Sequence, residues 1–190
     1  MTHPFHIVDV FAERPYAGNQ LAVVTHADDL ADETMQQIAT EMNFSETTFV
    51  YTTPERDGGH RVRIFTPARE IAFAGHPILG TAWVIREQIA PGSSAPVRLN
   101  LAVGQIPVTF ETAADEAETA WFHAPQVTSG ATSDREPVAA ALGISPDDIE
   151  TTSPIQQMTA GISAMIVPLR SLDALRRCKL DLDAFAPLAR

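Results

Sequence analysis

The stretch that decides the fold is RIFTPAREIAFAGHPILGT, residues 63–81. A short β-rich run and a loop lead there into Gly75, His76 and Pro77, and an apolar helix follows. Proline suits a first helical position because its missing N–H would be unpaired there anyway, so the pattern predicts a helix that begins at Pro77 with His76 as its cap. The free backbone donors of a first turn and the helix dipole favour a carboxylate or a phosphate. A tight turn with a purely structural purpose would use the same residues, and this alternative stays open.

Upstream of this stretch, a single carboxylate, Glu46, opens a second β-rich run. A helix predicted over 31–42 precedes the run, which reads FSETTFVY over 44–51. Apolar neighbours such as Phe44 and Phe49 would shield the Glu46 carboxylate, raise its pKa and let it exchange protons near neutral pH. The structural alternative is a solvated residue at the start of a strand.

The first part of the chain alternates short β runs with few helices, which is typical of an α+β fold. The helix over 31–42 has apolar residues at helical spacing, so one of its faces should pack on a sheet. The helix from 77 to about 89 is apolar on more than one side and is predicted to be the buried central helix. Strands are predicted at 5–10, 20–25, 47–52, 60–65, 97–103, 105–112 and 120–122.

An acidic stretch poor in large apolar residues, ETAADEAE over 111–118, is suited to an exposed connection. It predicts a boundary between an N-terminal domain over 1–115 and an incomplete second domain over 116–190. Within the second domain the pattern predicts a helix near 137–142, which Gly143 ends.

Composition limits the classes of partner. With 190 residues and 45% hydrophobic content the chain can bury a substantial core. Its 13 basic and 24 acidic residues give a formal charge of −11, which disfavours nucleic acid and anionic membrane surfaces as partners. The sequence has neither a signal-peptide pattern nor an apolar run long enough to span a bilayer, so a cytoplasmic protein is expected.

Cysteine and histidine usage narrows the chemistry. Cys178 is the sole cysteine, which excludes an internal disulfide, a cysteine metal cluster and a racemase site built from two thiols within this sequence. Arginines precede Cys178, yet we interpret it as incidental. The six histidines follow no known ligand spacing, so no metal site is predicted.

Together with the opening HPFHIVDVFAERPYAGNQLAVV over 3–24, these segments resemble the N-terminal half of the PhzF-like family of phenazine-biosynthesis isomerases. The resemblance covers the Gly18–Asn19 pair, the NFSET segment over 43–47, the FTP and AGHP segments, and 161–175. Each piece alone is weak because such short words occur by chance in many proteins. Their combination in this order is specific.

The resemblance implies a diaminopimelate epimerase-like fold, with two similar domains and an active site between them. Each domain is a curved, mostly antiparallel sheet wrapped around a central helix, so this α+β chain should form one complete domain and part of a second. Glu46 matches the family's proposed acid/base glutamate. His76 and Gly75 match a histidine and backbone donors near the substrate, whereas Asn19 and Ser45 match motif positions with less defined roles in substrate binding.

The activity implied is proton transfer on a small carboxylated metabolite, without organic cofactor or metal, in which Glu46 removes and returns the proton. The family's named reaction is isomerisation of trans-2,3-dihydro-3-hydroxyanthranilate, and a homodimer is expected by analogy. Family members continue beyond the position of Arg190 into a loop rich in Gly and Ser, so the chain is expected to be either a fragment or a short member. The alternative function is a non-catalytic binding or assembly protein that keeps the anion-binding turn, and an exposed apolar edge would favour it.

Overall fold

The computed structural model describes residues 2–55, 57–112 and 118–188. The chain divides into two compact units, Met1–Pro125 and Gln126–Arg190. Along the chain, the first unit contains β1 (Phe5–Val10), β2 (Asn19–Thr25), α1 (Asp32–Met42), β3 (Glu46–Val50), β4 (His60–Phe65), β5 (Glu70–Ile71), α2 (Gly75–Val84), a π-helical turn (Ile85–Ile89), β6 (Val97–Leu101), β7 (Gly104–Glu111) and β8 (Thr119–Phe122).

The strands of the first unit form one mixed sheet in the order β1-β2-β3-β4-β6-β7-β8, with β5 paired to β4. The pairs β2–β3 and β4–β6 are parallel and the other pairs are antiparallel. Helix α2 contacts both ends of this order, β1 and β8, as well as β2, β3, β6 and β7 between them. The sheet therefore curls around α2, which confirms the predicted α+β class and the mostly antiparallel sheet around a central helix.

Helix α2 begins two positions earlier than the sequence pattern predicts. Ala74 is the N-cap, with extended φ and ψ of −155° and 143°, and Gly75 is the first helical residue. The predicted start at Pro77, with His76 as cap, is wrong. The N–H groups of a helix's first turn have no partner within the helix. Because proline lacks only such an N–H group, it fits any position of that turn, and Pro77 does not have to be the first helical residue.

The faces of the two helices differ in their burial. Ile78 and Ala82 of α2 are buried in the main core, whereas Trp83 is 43% exposed and departs from the predicted burial. Helix α1 is amphipathic as predicted, since Met35 and Ala39 are buried in a smaller cluster on the other face of the sheet.

The first unit extends beyond the predicted boundary after residue 115. Strand β8 pairs with β7 over Thr119–Phe122, so the compact unit ends at Pro125. The predicted acidic connection falls largely on residues 113–117, which lie outside the described residues. Glu118 at its end pairs with Arg86, with Oε2 2.6 Å from Nη2.

The second unit contains β9 (Thr128–Thr132), α3 (Arg135–Leu142), a 3₁₀ turn (Pro146–Asp148), β10 (Gln156–Thr159), β11 (Ser163–Ile166), α4 (Leu172–Arg177) and α5 (Leu182–Phe185). Its strands form an antiparallel sheet in the order β11-β10-β9. Its small core contains Val138, Ala139, Ile149 and Ile155. Helix α3 ends at Gly143, which has a positive φ of 66° as the predicted helix stop requires.

The sequence also predicts that the second unit is similar to the first and that it is incomplete, and both statements stay predictions. Across the described ranges, none of the helices combines the length and apolar character needed to cross a bilayer.

Candidate active site

Three segments of the first unit meet at the candidate site: the starts of β2 and β3 and the N-terminus of α2. Strands β2 and β3 are parallel, with Leu21 opposite Glu46. Leu21 and Val23 of β2 and Val50 of β3 belong to the core around α2. Because side chains alternate along a strand, Asn19 and Glu46 face α2 as well.

Glu46 and His76 are in direct contact. The distance from Glu46 Oε2 to His76 Nε2 is 3.4 Å, and the two side chains are 17% and 9% exposed. Both atoms are buried, and neither has a hydrogen-bond partner among the described residues. The two groups therefore form a loose, desolvated pair and not a tight ion pair.

The surroundings push both groups toward their neutral forms. Burial raises the pKa of Glu46 above its ordinary value of 4.5. Burial lowers the pKa of His76 below its ordinary value of 6.5, although the main-chain carbonyl of Gln20 opposes part of this shift. A carboxyl group with a raised pKa can both take up and release a proton closer to neutral pH.

Phe49, which was expected to shield Glu46 from solvent, does not lie beside it. Phe49 lies on the opposite face of β3, where it packs edge-on against Phe65 with ring centroids 5.3 Å apart. The predicted shielding by Phe49 is wrong, because residues three apart on a strand point to opposite faces. On the Glu46 face, Thr48 Oγ1 lies 2.8 Å from Thr81 Oγ1 of α2 in a buried hydrogen bond.

Asn19 contacts His76 from the side away from Glu46. Its Nδ2 lies 3.2 Å from His76 Nδ1. Gly18 directly before it lies close to the end of β1, since a Cβ at this position would lie 2.6 Å from the Val10 carbonyl oxygen. Only glycine allows this close approach, which fixes the position where β2 starts.

The two other predicted site residues, Gly75 and Ser45, directly precede His76 and Glu46 in the chain. A Cβ on Gly75 would meet nothing within 4 Å, so packing does not require glycine there, and the approach to the first turn of α2 is open from that side. No side chain among the described residues caps α2. Ser45 is exposed immediately before Glu46. Thus Glu46, His76 and Asn19 are brought into contact, with Gly75 and Ser45 beside them.

Sequence reasoning missed the contact between Asn19 and His76 and the hydrogen bond between Thr48 and Thr81. The two consecutive threonines inside an apolar strand were a signal that one hydroxyl needs a buried partner.

Cys178 lies in the second unit, where its Sγ donates to the Ala174 carbonyl oxygen at 3.4 Å. Among the described residues, no group of three or more His, Cys, Asp or Glu side chains is arranged to hold a metal ion.

Comparison with known proteins gives consistent matches over almost the whole chain. The family model "Phenazine biosynthesis-like protein" matches residues 8–189. The chain is 38% identical over 176 residues to the trans-2,3-dihydro-3-hydroxyanthranilate isomerase of Pseudomonas aeruginosa, covering 91% of this chain and 59% of that protein. The chain thus spans less than two thirds of the length of this relative.

Solved structures agree with the fold. The PhzF-family phenazine biosynthesis protein of Bacillus anthracis matches with a TM-score of 0.81 and 29% identity, covering 98% of this chain and 62% of that one. A probable proline racemase from Agrobacterium radiobacter matches with a TM-score of 0.55 over 86% of this chain and 52% of that one, at only 12% identity. This second likeness concerns the fold alone, and it agrees with the epimerase-like architecture expected from the sequence.

Proposed function

Because the chain belongs to the phenazine biosynthesis-like protein family, we propose that it is a PhzF-like isomerase or epimerase that moves a proton on a small carboxylated metabolite. The observation that carries the proposal is the buried contact between Glu46 and His76 at the start of α2. The isomerase name of the Pseudomonas aeruginosa relative supports enzymatic function.

In the proposed reaction, Glu46 is the acid/base group. Its carboxylate takes a proton from one carbon of the substrate, and the resulting carboxylic acid gives that proton to another carbon of the same molecule. No proton or electron is gained or lost overall, so the step needs no cofactor. The raised pKa of Glu46 supports this role, because an acid/base group works best when its pKa lies near the working pH.

His76 and the first turn of α2 are proposed to bind the substrate's carboxylate or another anionic group. The Gly75 and His76 main-chain N–H groups lie in the first turn of α2, where backbone donors and the helix dipole favour an anion. The open side of Gly75 supports access from that direction. Ser45, exposed beside Glu46, is proposed as a further polar contact to the substrate.

The identity of the substrate is a separate step, since one fold can carry several related proton transfers. We propose trans-2,3-dihydro-3-hydroxyanthranilate as the first compound to assay, because the relative named above acts on it. By analogy with the family, we also propose that the protein is a cytoplasmic homodimer.

A binding or assembly protein is the alternative, and one observation favours it. Phe5 and Ile7 of the edge strand β1 are 52% and 56% exposed to solvent, and Trp83 of α2 is also partly exposed. Ile7 and Trp83 line a groove of about 860 Å³ in the first unit, between β1 and β8. An apolar edge of this kind is suited to association with another chain.

The test compares the unmodified chain with Glu46→Gln and the control Glu70→Gln, a matched substitution of a carboxylate on β5 outside the site. Turnover of trans-2,3-dihydro-3-hydroxyanthranilate is followed by NMR, and binding by calorimetry. We expect Glu46→Gln to lose about 10²–10⁴ in turnover, the usual contribution of a general acid/base, with binding retained. Equal turnover in all three proteins contradicts the role of Glu46. Binding by all three without turnover favours the alternative.

A further inference from the structure

The two ring nitrogens of His76 have different neighbours. Nδ1 lies 3.2 Å from Asn19 Nδ2, and Nε2 lies 3.4 Å from Glu46 Oε2. An amide nitrogen donates hydrogen bonds and cannot accept them, so Nδ1 must be the acceptor in its contact with Asn19. In a neutral ring the proton then resides on Nε2.

A second polar neighbour of the His76 ring competes with the Asn19 amide. The main-chain carbonyl of Gln20 also interacts with the His76 ring and raises its pKa, and a carbonyl can only accept. A hydrogen bond from Nδ1 to this carbonyl would require the proton on Nδ1. The tautomer of His76 therefore depends on a competition between the Asn19 amide and the Gln20 carbonyl.

The backbone around Asn19 favours the amide in this competition. Asn19 is the first residue of β2 and lies opposite Val10 at the end of β1. The close packing of Gly18 against the Val10 carbonyl oxygen fixes the chain on the other side of Asn19. A side chain held from a paired strand loses little freedom when it makes one hydrogen bond, because its backbone is already ordered.

We infer that Asn19 is a positioning residue, whose side-chain amide holds His76 in the tautomer with the proton on Nε2, facing Glu46. The inference rests on the proposed function of the Glu46–His76 pair and revises the expected role of Asn19, from a substrate contact to a residue that acts through His76. With the proton on Nε2, His76 can donate to the Glu46 carboxylate or to an anionic substrate group. With the proton on Nδ1, the unprotonated Nε2 could only accept a hydrogen bond.

The inference can be tested by NMR on the full chain, with ¹⁵N in the histidine rings. Long-range ¹H–¹⁵N spectra distinguish the two neutral tautomers and the imidazolium, and the His76 signals are those lost in His76→Asn. We expect the unmodified chain to carry the proton on Nε2. In Asn19→Asp a carboxylate replaces the donor beside Nδ1, so we expect Nδ1 to become protonated and the pKa of His76 to rise.

Gln20→Glu is the matched control, because it adds the same charge one residue further along β2. Its side chain points to the opposite face, and the main-chain carbonyl is kept. We expect the His76 tautomer to stay unchanged in this variant. Glu46 is the one charged side chain in contact with His76 among the described residues, and it is present in all of these proteins.

Asn19→Leu provides a second route if the introduced charge in Asn19→Asp unfolds the chain. It removes the donor while keeping a similar shape, so we expect the Nδ1–H form to increase. A proton on Nδ1 in the unmodified chain overturns the inference, and so does an unchanged Nε2–H form in a folded Asn19→Leu. Because this readout does not depend on turnover, an inactive chain or an active Glu46→Gln would contradict the proposed function and leave the tautomer result intact.

Discussion

The two faces of the curled sheet each carry a carboxylate beside a basic side chain, yet the two arrangements differ in kind. On the inner face, the half-buried Glu46 and the buried His76 are loosely paired at 3.4 Å. On the outer face, Arg63 is held by two carboxylates. Its Nε and Nη2 donate to the two oxygens of Glu70, each at 2.7 Å, and its Nη1 donates to Asp32.

The pKa shifts on the two faces have opposite directions. Hydrogen bonds to Glu70 and Asp32 raise the pKa of Arg63, and the hydrogen bond from Arg63 lowers the pKa of Asp32. On the inner face, burial raises the pKa of Glu46 and lowers that of His76. The outer cluster is therefore held in its charged form, whereas burial shifts both groups of the inner pair toward their neutral forms. Only the inner pair is suited to moving a proton.

The substitution His76→Asn, on the inner face, is expected to have the largest effect, a loss of turnover. Removing a donor aimed at the reacting group typically costs about 10²-fold or more in turnover, so we expect a loss of this size. His26→Asn is the matched control, because His26 has a positive φ of 57°, a conformation that asparagine adopts readily. Steady-state turnover of the same compound measures the effect. Full activity in His76→Asn would remove the functional distinction between the two faces.

Arg63→Met should have a smaller effect, on stability alone. The substitution keeps a long apolar side chain and removes the contacts to Asp32 and Glu70, of which Asp32 is 73% exposed. Because water screens the exposed Asp32 carboxylate and the partly exposed Glu70 carboxylate, we expect only a small loss in the free energy of unfolding. Urea denaturation measures this loss. A marked fall in turnover of the folded variant would contradict the purely structural role given to the outer face.

The smallest effect is a difference in how two amide substitutions respond to pH. The folded pKa of Glu46 is raised, so its contribution to stability is present at low pH and is lost as the pH rises above 4.5. The folded pKa of Asp32 is lowered, so its contribution is present above 3.8 and is lost as the pH falls. Near neutral pH, Glu46→Gln should therefore stabilise the chain relative to the unmodified protein, and Asp32→Asn should destabilise it.

Both differences should shrink as the pH falls toward 4 and below, where protonation makes each acid resemble its amide. Urea midpoints at several pH values measure them. The same sign for the two substitutions near neutral pH would contradict the assignment of opposite shifts to the two faces.

The elements of the first unit were largely predictable because hydrophobic patterns report which residues are buried. The strands over Phe5–Val10 and His60–Phe65 have the predicted bounds, and the two helices have the predicted inner and outer positions. The first unit extends past the predicted boundary after residue 115, because the predicted strand over 120–122 carries no local sign of the sheet that it joins. Its pairing depends on a partner strand that the local sequence does not reveal.

The motifs indicated which residues come together at the candidate site, but not how these residues are arranged. The motif resemblance named Glu46, His76 and Asn19, which the fold brings into contact. The reason given for the burial of Glu46 was wrong, because Phe49 is close in sequence and lies on the opposite face of the strand. The role inferred for Asn19 could not be foreseen, since it depends on a 3.2 Å contact to a helix far away in sequence.

One titration tests the central claim most directly. With ¹³C-labelled side-chain carboxyl groups, NMR can follow Glu46 and Asp32 in the same folded chain as the pH is changed. The account predicts that Glu46 titrates above its ordinary 4.5 and Asp32 below its ordinary 3.8. A Glu46 midpoint at or below 4.5 would contradict the claim that the inner face holds a carboxyl group prepared for proton transfer.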